Sequence, residues 1–489
     1  MSRADGWSWR TFWVSLVALS SLLGLWGLAT PPFAVPDEPA HFLKAAGVAR
    51  GQVTGLPGLP TAVEVPPALA ATRFQTGCFV FRPDVPADCA PGYDGPDGPE
   101  TEARTQAGRY PPGYYALVGL PTLVVTDLGS LYAVRGVSAA LCAALLAAAV
   151  TAAAATGSRL LVTGVGVAAT PMVLFLSSGV NPSGPEVAAA VALWTAGLAL
   201  VLASGPPSRP VLTTAGLAAV VLVLSRPISP FWVALIGLSL LLLAGGRRGL
   251  ELVRQRPVQA WLGVLGLAGL LQAAWVLGVG ALELYGGGRP LTLGERLEGS
   301  LVRTDERLQQ MVGWFGWLDT PAPVGVHVAW ALALVVLVGL GLRGAVRRRA
   351  VLLLTLVLGV VLVPIALEVA SAEQVGFYWQ GRYTLPLAVG VPLVAAVAAR
   401  RPRPAPVPLL AGVLAVLAVC HLVGFVTALG RYTVGTGNGL GLVDAVWSPP
   451  LPALVLAVGA VLAALAWSAL LLLVPVAEQP ARVEQALPV

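Results

Sequence analysis

The chain alternates long apolar blocks with short polar links. The blocks fall at 11–29, 131–156, 160–178, 185–203, 210–224, 229–244, 259–281, 327–342, 350–370, 383–399, 406–428 and 451–475. Most approach the roughly 17–25 residues an α-helix needs to cross a bilayer. Inside lipid the backbone must satisfy its own hydrogen bonds, so blocks of this kind predict helices. The expectation is an all-α, polytopic protein of about twelve spans, with residues 1–489 forming a single integral membrane domain. The segment 113–127, GYYALVGLPTLVVTD, is apolar but short and holds Gly119 and Pro121. It predicts a re-entrant or interfacial helix. The first block is too long for the apolar part of a signal peptide and lacks a small-x-small cleavage site, which predicts a retained helix.

Composition agrees with the pattern. Apolar residues make up 56% of the 489 positions and charged residues 11%, against about a quarter charged in soluble domains. Mean hydropathy is +0.80. Of the 30 basic residues all but Lys44 are arginine, a bias expected of a GC-rich bacterial genome. The basic excess sits in short clusters between blocks, where it orients helices, and is not a nucleic-acid signal. With 113–127 not crossing, fourteen arginines after residue 130 lie on one side and eight on the other. The arginine-rich side is then cytoplasmic, both termini are cytoplasmic, and twenty of the 24 acids face outward. A multi-pass protein of the bacterial plasma membrane with its active face extracytoplasmic is expected. The two largest outer loops are 30–112 and 282–326; the first, rich in Gly and Pro, suits a lid clamped on the helices, with a juxtamembrane helix of its own. Cys78 and Cys89 lie together in that loop and predict a disulfide, hence an oxidising compartment. Cys142 and Cys420 fall in apolar blocks and suit packing.

The candidate chemistry collects at the outer face. After the first block the chain reads PPFAVPDEPAHFLKAAGVARG, residues 31–51. Pro36 and Pro39 prevent simple continuation of the helix. His41 stands three to four positions after Asp37 and Glu38, and Lys44 three after His41, so the group can share a helical face. One of the two acids can serve as a general base; alternatively the pair is a charge cap on an interfacial helix. The segment Asn181-Pro182-Ser183-Gly184-Pro185-Glu186 breaks and restarts a helix, so Glu186 is either a site residue or a helix N-terminal acid. Phe377-Tyr378-Trp379-Gln380-Gly381-Arg382-Tyr383 puts Arg382 at the outer boundary. There it can bind a lipid phosphate bidentately, or snorkel within an aromatic belt. Arg226 is a second phosphate candidate. Glu368, near the outer end of a span, is either a buried contact or part of the site. Arg303, Asp305, Glu306 and Arg307 precede an aromatic turn, Trp314-Phe315-Gly316-Trp317, suited to covering a carbohydrate or to interfacial anchoring. His327 and His421 suit structural roles. No Walker, GxSxG or HExxH pattern and no zinc-type Cys/His spacing occurs.

The stretch PDEPAHF, together with RYPPGYYAL at 109–117, SSGVNPSGPEVAAAVALW at 177–194 and QGRYTLPL at 380–387, resembles the DUF2142 family of bacterial membrane proteins. That family is similar in layout to the GT-C glycosyltransferases, which use polyprenyl-phosphate-linked sugars and an acidic base in the first outer loop. The resemblance implies a base at Asp37 or Glu38, a donor phosphate at Arg382 and Arg226, and support from His41, Lys44, Asn181, Glu186 and Tyr383. Many GT-C enzymes carry an aspartate where this chain has Ser183 and Glu186, so a divalent metal stays open and no metal ligand is assigned. The implied partners are a polyprenyl-phosphate sugar, an envelope glycan or lipid acceptor, and membrane lipids. The competing expectations are a transporter or flippase for a lipid-linked glycan, and a non-catalytic envelope-assembly partner. A transporter would call for charges deep in several spans and for internal repeats, and no repeat relates the halves.

Overall fold

The computed structural model describes residues 6–56, 61–71, 76–91, 98–127, 129–203, 205–282, 288–399 and 406–476. Asp5, Arg400, Arg401, Arg403, Glu478, Arg482 and Glu484, which enter the charge balance, lie outside them. Helix α1 (Trp9–Ala29) starts on Ser8, whose side chain accepts from the Thr11 amide, and ends before Pro31-Pro32. The outer loop follows with α2 (Glu38–Ala49), strand β1 (Ala62–Val65), α3 (Pro67–Ala70), β2 (Thr101–Arg104) and α4 (Pro112–Val118). β1 and β2 pair antiparallel with Ala62 opposite Arg104. Then come α5 (Gly129–Ala155), α6 (Arg159–Ala168), α7 (Pro171–Ser177), α8 (Ser183–Leu202), α9 (Arg209–Ser225), α10 (Ser229–Val253) and α11 (Arg256–Gly278). Two short helices, α12 (Leu293–Val302) and α13 (Thr304–Val312), lead to the hairpin β3 (Trp314–Phe315) and β4 (Thr320–Pro321). The chain closes with α14 (Val324–Leu342), α15 (Arg347–Val375), α16 (Gly381–Ala388), α17 (Gly390–Ala395), α18 (Val407–Val434) and α19 (Ala453–Leu473).

All twelve apolar blocks are helical over most of their length, but they do not all make simple spans. Among the described residues nine helices are long and apolar enough to cross a membrane, ten if α6 and α7 are one broken span. That pair bends by 66° where Thr170 caps the Val173 amide and Pro171 opens the new helix. Helix α9 has 17 residues, about 25 Å at 1.5 Å per residue, short of the roughly 30 Å hydrocarbon layer. The block 383–399 breaks at Val389, where Pro386 and Pro392 remove donors. There the Trp194 indole donates to the Pro386 carbonyl at 3.1 Å. Segment 113–127 holds a seven-residue helix and a 3-10 turn, Leu120–Leu123, far too short to span.

Helix α8 is the hub. From Ser183 through Ala199 every residue is buried, against α5, α9 and α7. By contrast α10, α11, α14, α15 and α19 expose rows of Leu and Val, the surface expected to face lipid. The outer loop carries a small apolar core of its own, including Phe33, Phe42, Leu43, Val63, Val65 and Tyr115, continuous with Leu131 and Val134 of α5. The lid is therefore seated on the helix bundle and cannot be separated from it.

A carboxylate and arginine cluster as the candidate active site

Two proline-flanked turns bring the site together. In Val35-Pro36-Asp37 the chain leaves α1 and enters α2 with Asp37 in the left-handed region, φ 60°, a conformation Asp tolerates better than most residues. Asn181, in the link between α7 and α8, donates from Nδ2 to the Pro36 carbonyl at 2.7 Å and accepts the Ser183 amide at 2.9 Å. Asn181 thus sets the Asp37 backbone and opens α8. The Asp37 side chain makes no cap on α2. Instead Oδ2 accepts from Arg382 Nη2 at 2.5 Å, across 345 residues of sequence.

Glu38 behaves differently. It is fully buried and receives Arg135 in a bidentate pair, Nε to Oε1 at 2.8 Å and Nη2 to Oε2 at 2.6 Å. Oε1 also accepts the Val180 amide at 2.9 Å. Arg135 spends its other donors on the Gly27, Thr30 and Pro31 carbonyls. Glu38 and Arg135 therefore tie together the end of α1, the start of α2, α5 and the α7–α8 link. As a base Glu38 is ruled out by this geometry: it has no exposed edge to meet a substrate.

Arg382 opens α16, and its guanidinium is buried although Asp37 is 41% exposed at the side chain. Its Nε and Nη1 make no hydrogen bond. Arg226, at the C-terminal end of α9, pairs with Glu186 at 3.2 Å. Glu186 also accepts from Ser229 Oγ at 2.6 Å. The Arg226 and Arg382 guanidiniums both lie over the Tyr383 ring, 4.4 and 5.2 Å from its centre, and Tyr383 stays partly exposed. Two cations against one aromatic ring make a local positive field suited to an anion. Asp37, Arg382, Tyr383, Arg226 and Glu186 are thus linked by direct contact, reaching from the first outer loop to α16.

The remaining candidates divide. His41 Nδ1 lies 2.8 Å from the Tyr115 hydroxyl and its ring meets Tyr110 edge-on. Burial pulls the His41 pKa down to about 3 against the pull of Asp37, so the ring is neutral. Lys44 is not available to an acceptor: its ammonium donates to the Val53 and Gly108 carbonyls, both at 2.7 Å, and staples the loop. Burial raises the Asp37 pKa, but Arg382 above all, by its charge and its hydrogen bond, outweighs it and holds the carboxyl below its ordinary value of 3.8. Asp37 is an ionised, water-accessible carboxylate. Each site carboxylate faces a guanidinium, so a divalent ion would have to displace an arginine. Among the described residues no three His, Cys, Asp or Glu side chains gather as cation ligands do.

Gln310 and Arg135 escaped the sequence reading, whereas Glu368 was expected as either a buried contact or part of the site. Glu368 is fully buried against Arg307 and accepts the Trp379 amide at 3.0 Å, which fixes the turn before Arg382. Gln310 accepts the Gly381 amide at 2.7 Å from the other side. Arg303 lies over the Phe377 ring at 4.4 Å. Tyr110 stands near enough to Asp37, Arg226, Arg382 and Tyr383 to feel all four charges or dipoles. Cys78 and Cys89 are bonded, with Cα atoms 6.0 Å apart. His327 Nε2 rests on the Gly313 carbonyl and His421 lies edge-on to Trp330, both away from the cluster. Arg135 did carry a signal, an arginine just inside an apolar block, which is rare unless it has a partner.

A search among curated proteins returns no match. The family model described as "Predicted membrane protein (DUF2142)" matches residues 21–391, a stretch that holds the whole cluster from Asp37 to Tyr383. The chain belongs to the DUF2142 family of membrane proteins.

Proposed function

We propose that this protein is an inverting glycosyltransferase of GT-C-like architecture, which moves a sugar from a polyprenyl-phosphate donor to a cell-envelope acceptor at the outer leaflet. In this proposal the chain crosses a bacterial plasma membrane twelve times, with α9 and the broken α6–α7 and α16–α17 segments counted as crossings and both termini cytoplasmic. One observation carries the assignment. An accessible, ionised carboxylate, Asp37, is joined to a buried arginine, Arg382, that still has two unpartnered N–H edges. A buried guanidinium without partners costs free energy unless a ligand anion or water satisfies it, and a phosphate fits its planar fork.

The chemistry then follows. The donor phosphate takes Arg382 through the unpartnered Nε or Nη1 together with the Nη2 that Asp37 holds, since each fork of the guanidinium includes Nη2, and Arg226 adds charge from its place over Tyr383. Competition for Arg382 loosens its hold on Asp37. Asp37 accepts the proton of the acceptor hydroxyl as that oxygen attacks the anomeric carbon from the face opposite the phosphate. The bond from the anomeric carbon to the phosphate oxygen breaks, and polyprenyl phosphate leaves with the electron pair. Glu186 and Ser229 hold Arg226 in place, Asn181 holds the Asp37 turn, and His41 supplies a neutral wall with Tyr110 and Tyr115.

The test is sugar transfer in proteoliposomes, with a panel of polyprenyl-phosphate sugars read by mass spectrometry. Asp37→Asn should lower the rate at least ~100-fold, the usual scale for loss of a general base, with folding unchanged. Full activity in that variant would sink the assignment. Arg382→Gln should raise the donor KM more than it lowers the rate at saturation, because it removes a contact made in the ground state as well.

A further inference from the structure

Four non-glycine residues among the described ones have left-handed backbones: Phe33, Asp37, Phe81 and Leu318. For a bulky residue such as phenylalanine that is a true outlier, kept only where its surroundings enforce it. Phe33 and Asp37 belong to the turn that carries the proposed base; Phe81 lies farther along the same loop, and Leu318 follows Trp317, whose indole binds the Phe33 carbonyl. The Phe81 ring is 68% exposed, yet its backbone is heavily held. Its amide donates to Asp319 Oδ2 at 3.1 Å. Asp319 in turn is paired with the buried Arg431 of α18 at 3.1 Å. Arg431 also binds the Phe79 carbonyl at 2.6 Å and the Val85 carbonyl at 2.8 Å, one on each side of Phe81. The Cys78–Cys89 disulfide closes the same loop. Such support for an exposed apolar ring has no purpose in packing.

The ring is not alone. Phe81 meets Trp317 edge to face, with ring centres 6.1 Å apart, and Trp317 keeps partial exposure. The Trp317 indole donates to the Phe33 carbonyl at 3.1 Å, four residues before Asp37. The aromatic pair is therefore tied by one hydrogen bond to the segment that carries the base. The loop around Phe81 is charged and exposed, with Arg82, Asp84 and Asp88 all at the surface, which places the ring in water and not among acyl chains. Apolar ring faces bordered by charged hydrogen-bonding groups suit one ligand chemistry best, a sugar ring with C–H groups on its face and hydroxyls on its rim.

We infer that Phe81 and Trp317 form the acceptor subsite, a stacking platform for a saccharide whose next hydroxyl reaches Asp37. This deepens the glycosyltransferase proposal and rests on it. The disulfide loop then determines where the acceptor ring sits, while the arginines determine where the donor phosphate sits.

The platform is testable by binding alone. Full-length protein in nanodiscs is titrated with cellotetraose, mannotriose and arabinotetraose under saturation-transfer NMR. At least one of these should bind the wild type. Its affinity should fall at least tenfold in Phe81→Ala and in Trp317→Leu, and should survive in Phe81→Trp, which keeps an aromatic face and controls for folding. Equal binding by Phe81→Ala would overturn the platform and leave Phe81 as a lipid anchor; so would no binding of any of the three by the wild type. The readout requires no turnover, so a catalytically active Asp37→Asn would remove the base assignment without touching this measurement.

Discussion

Replacing Arg135 with methionine removes the guanidinium from a carboxylate, Glu38, that has no water around it. Breaking a buried pair by deleting one partner costs about 3–5 kcal/mol, so Arg135→Met should sharply lower the melting temperature in detergent. Asp37→Asn leaves the buried Arg382 a neutral acceptor in place of the carboxylate and should cost less than Arg135→Met. The pH dependence separates the two acids further. The Asp37 carboxyl titrates below 3.8 when folded, so its contribution to stability is present above that value and disappears only as pH falls through the lower folded one. The transfer rate should therefore show no acidic inflection down to about pH 5. His41, with a pKa near 3, should add none around its ordinary 6.5. A rate profile with a limb at that position would point to a different base. At Phe81, glycine suits the φ of 59° better than alanine does. Phe81→Gly should be more stable than Phe81→Ala by about 0.5–1 kcal/mol in thermal melts, though both lack the ring. The acid pair and Arg382 were legible in sequence because proline-flanked acids and an outer-edge arginine stand out against apolar blocks. Their partners were not: Asp37 meets Arg382, and Glu38 meets Arg135, through closures that no local spacing encodes.

At the level of elements, the apolar blocks located nearly every helix, since length and hydropathy alone decide that question in lipid. They did not reveal where helices break. The bend between α6 and α7 and the interruption of α16–α17 come from Thr170-Pro171 and from Pro386, Gly390 and Pro392, and each break lies beside the site or its supports. The seating of α4 against α2 depends on Gly119, where an added Cβ would lie 2.1 Å from the Ala45 carbonyl oxygen. Gly119→Val should destabilise by about 1–3 kcal/mol through overpacking. Gly113→Ala, on the same short helix but with its nearest neighbour 4.0 Å away, should be tolerated. Equal melting temperatures for the two variants would show that α4 is not anchored at that contact.

Across the whole molecule the charge distribution makes a statement about sidedness. Arg247, Arg248, Arg347, Arg348 and Arg349 lie on the side opposite Asp37 and the disulfide loop. By the positive-inside rule that side is expected to be cytoplasmic. A cysteine at Asp84 should then react with an impermeant maleimide on intact cells, and one at Arg247, an exposed side chain, only after permeabilisation. The opposite pattern would invert the protein and move the cluster into the cytosol. Arginine counts give an expected sidedness, which the labelling tests; the joining of both large loops around Asp37 was not legible, because Arg431, Asp319 and Trp317 act over hundreds of residues.

The Asp37–Arg382 contact has a kinetic consequence. While the carboxylate is held by its own arginine it is a poor proton acceptor, so a water molecule wandering into an empty site meets a masked base. Only an arriving phosphate competes for the guanidinium and unmasks it. For the proposed transferase such a resting state would be thrifty with an activated sugar and would impose an order: donor first, acceptor second, with released polyprenyl phosphate competing against donor alone.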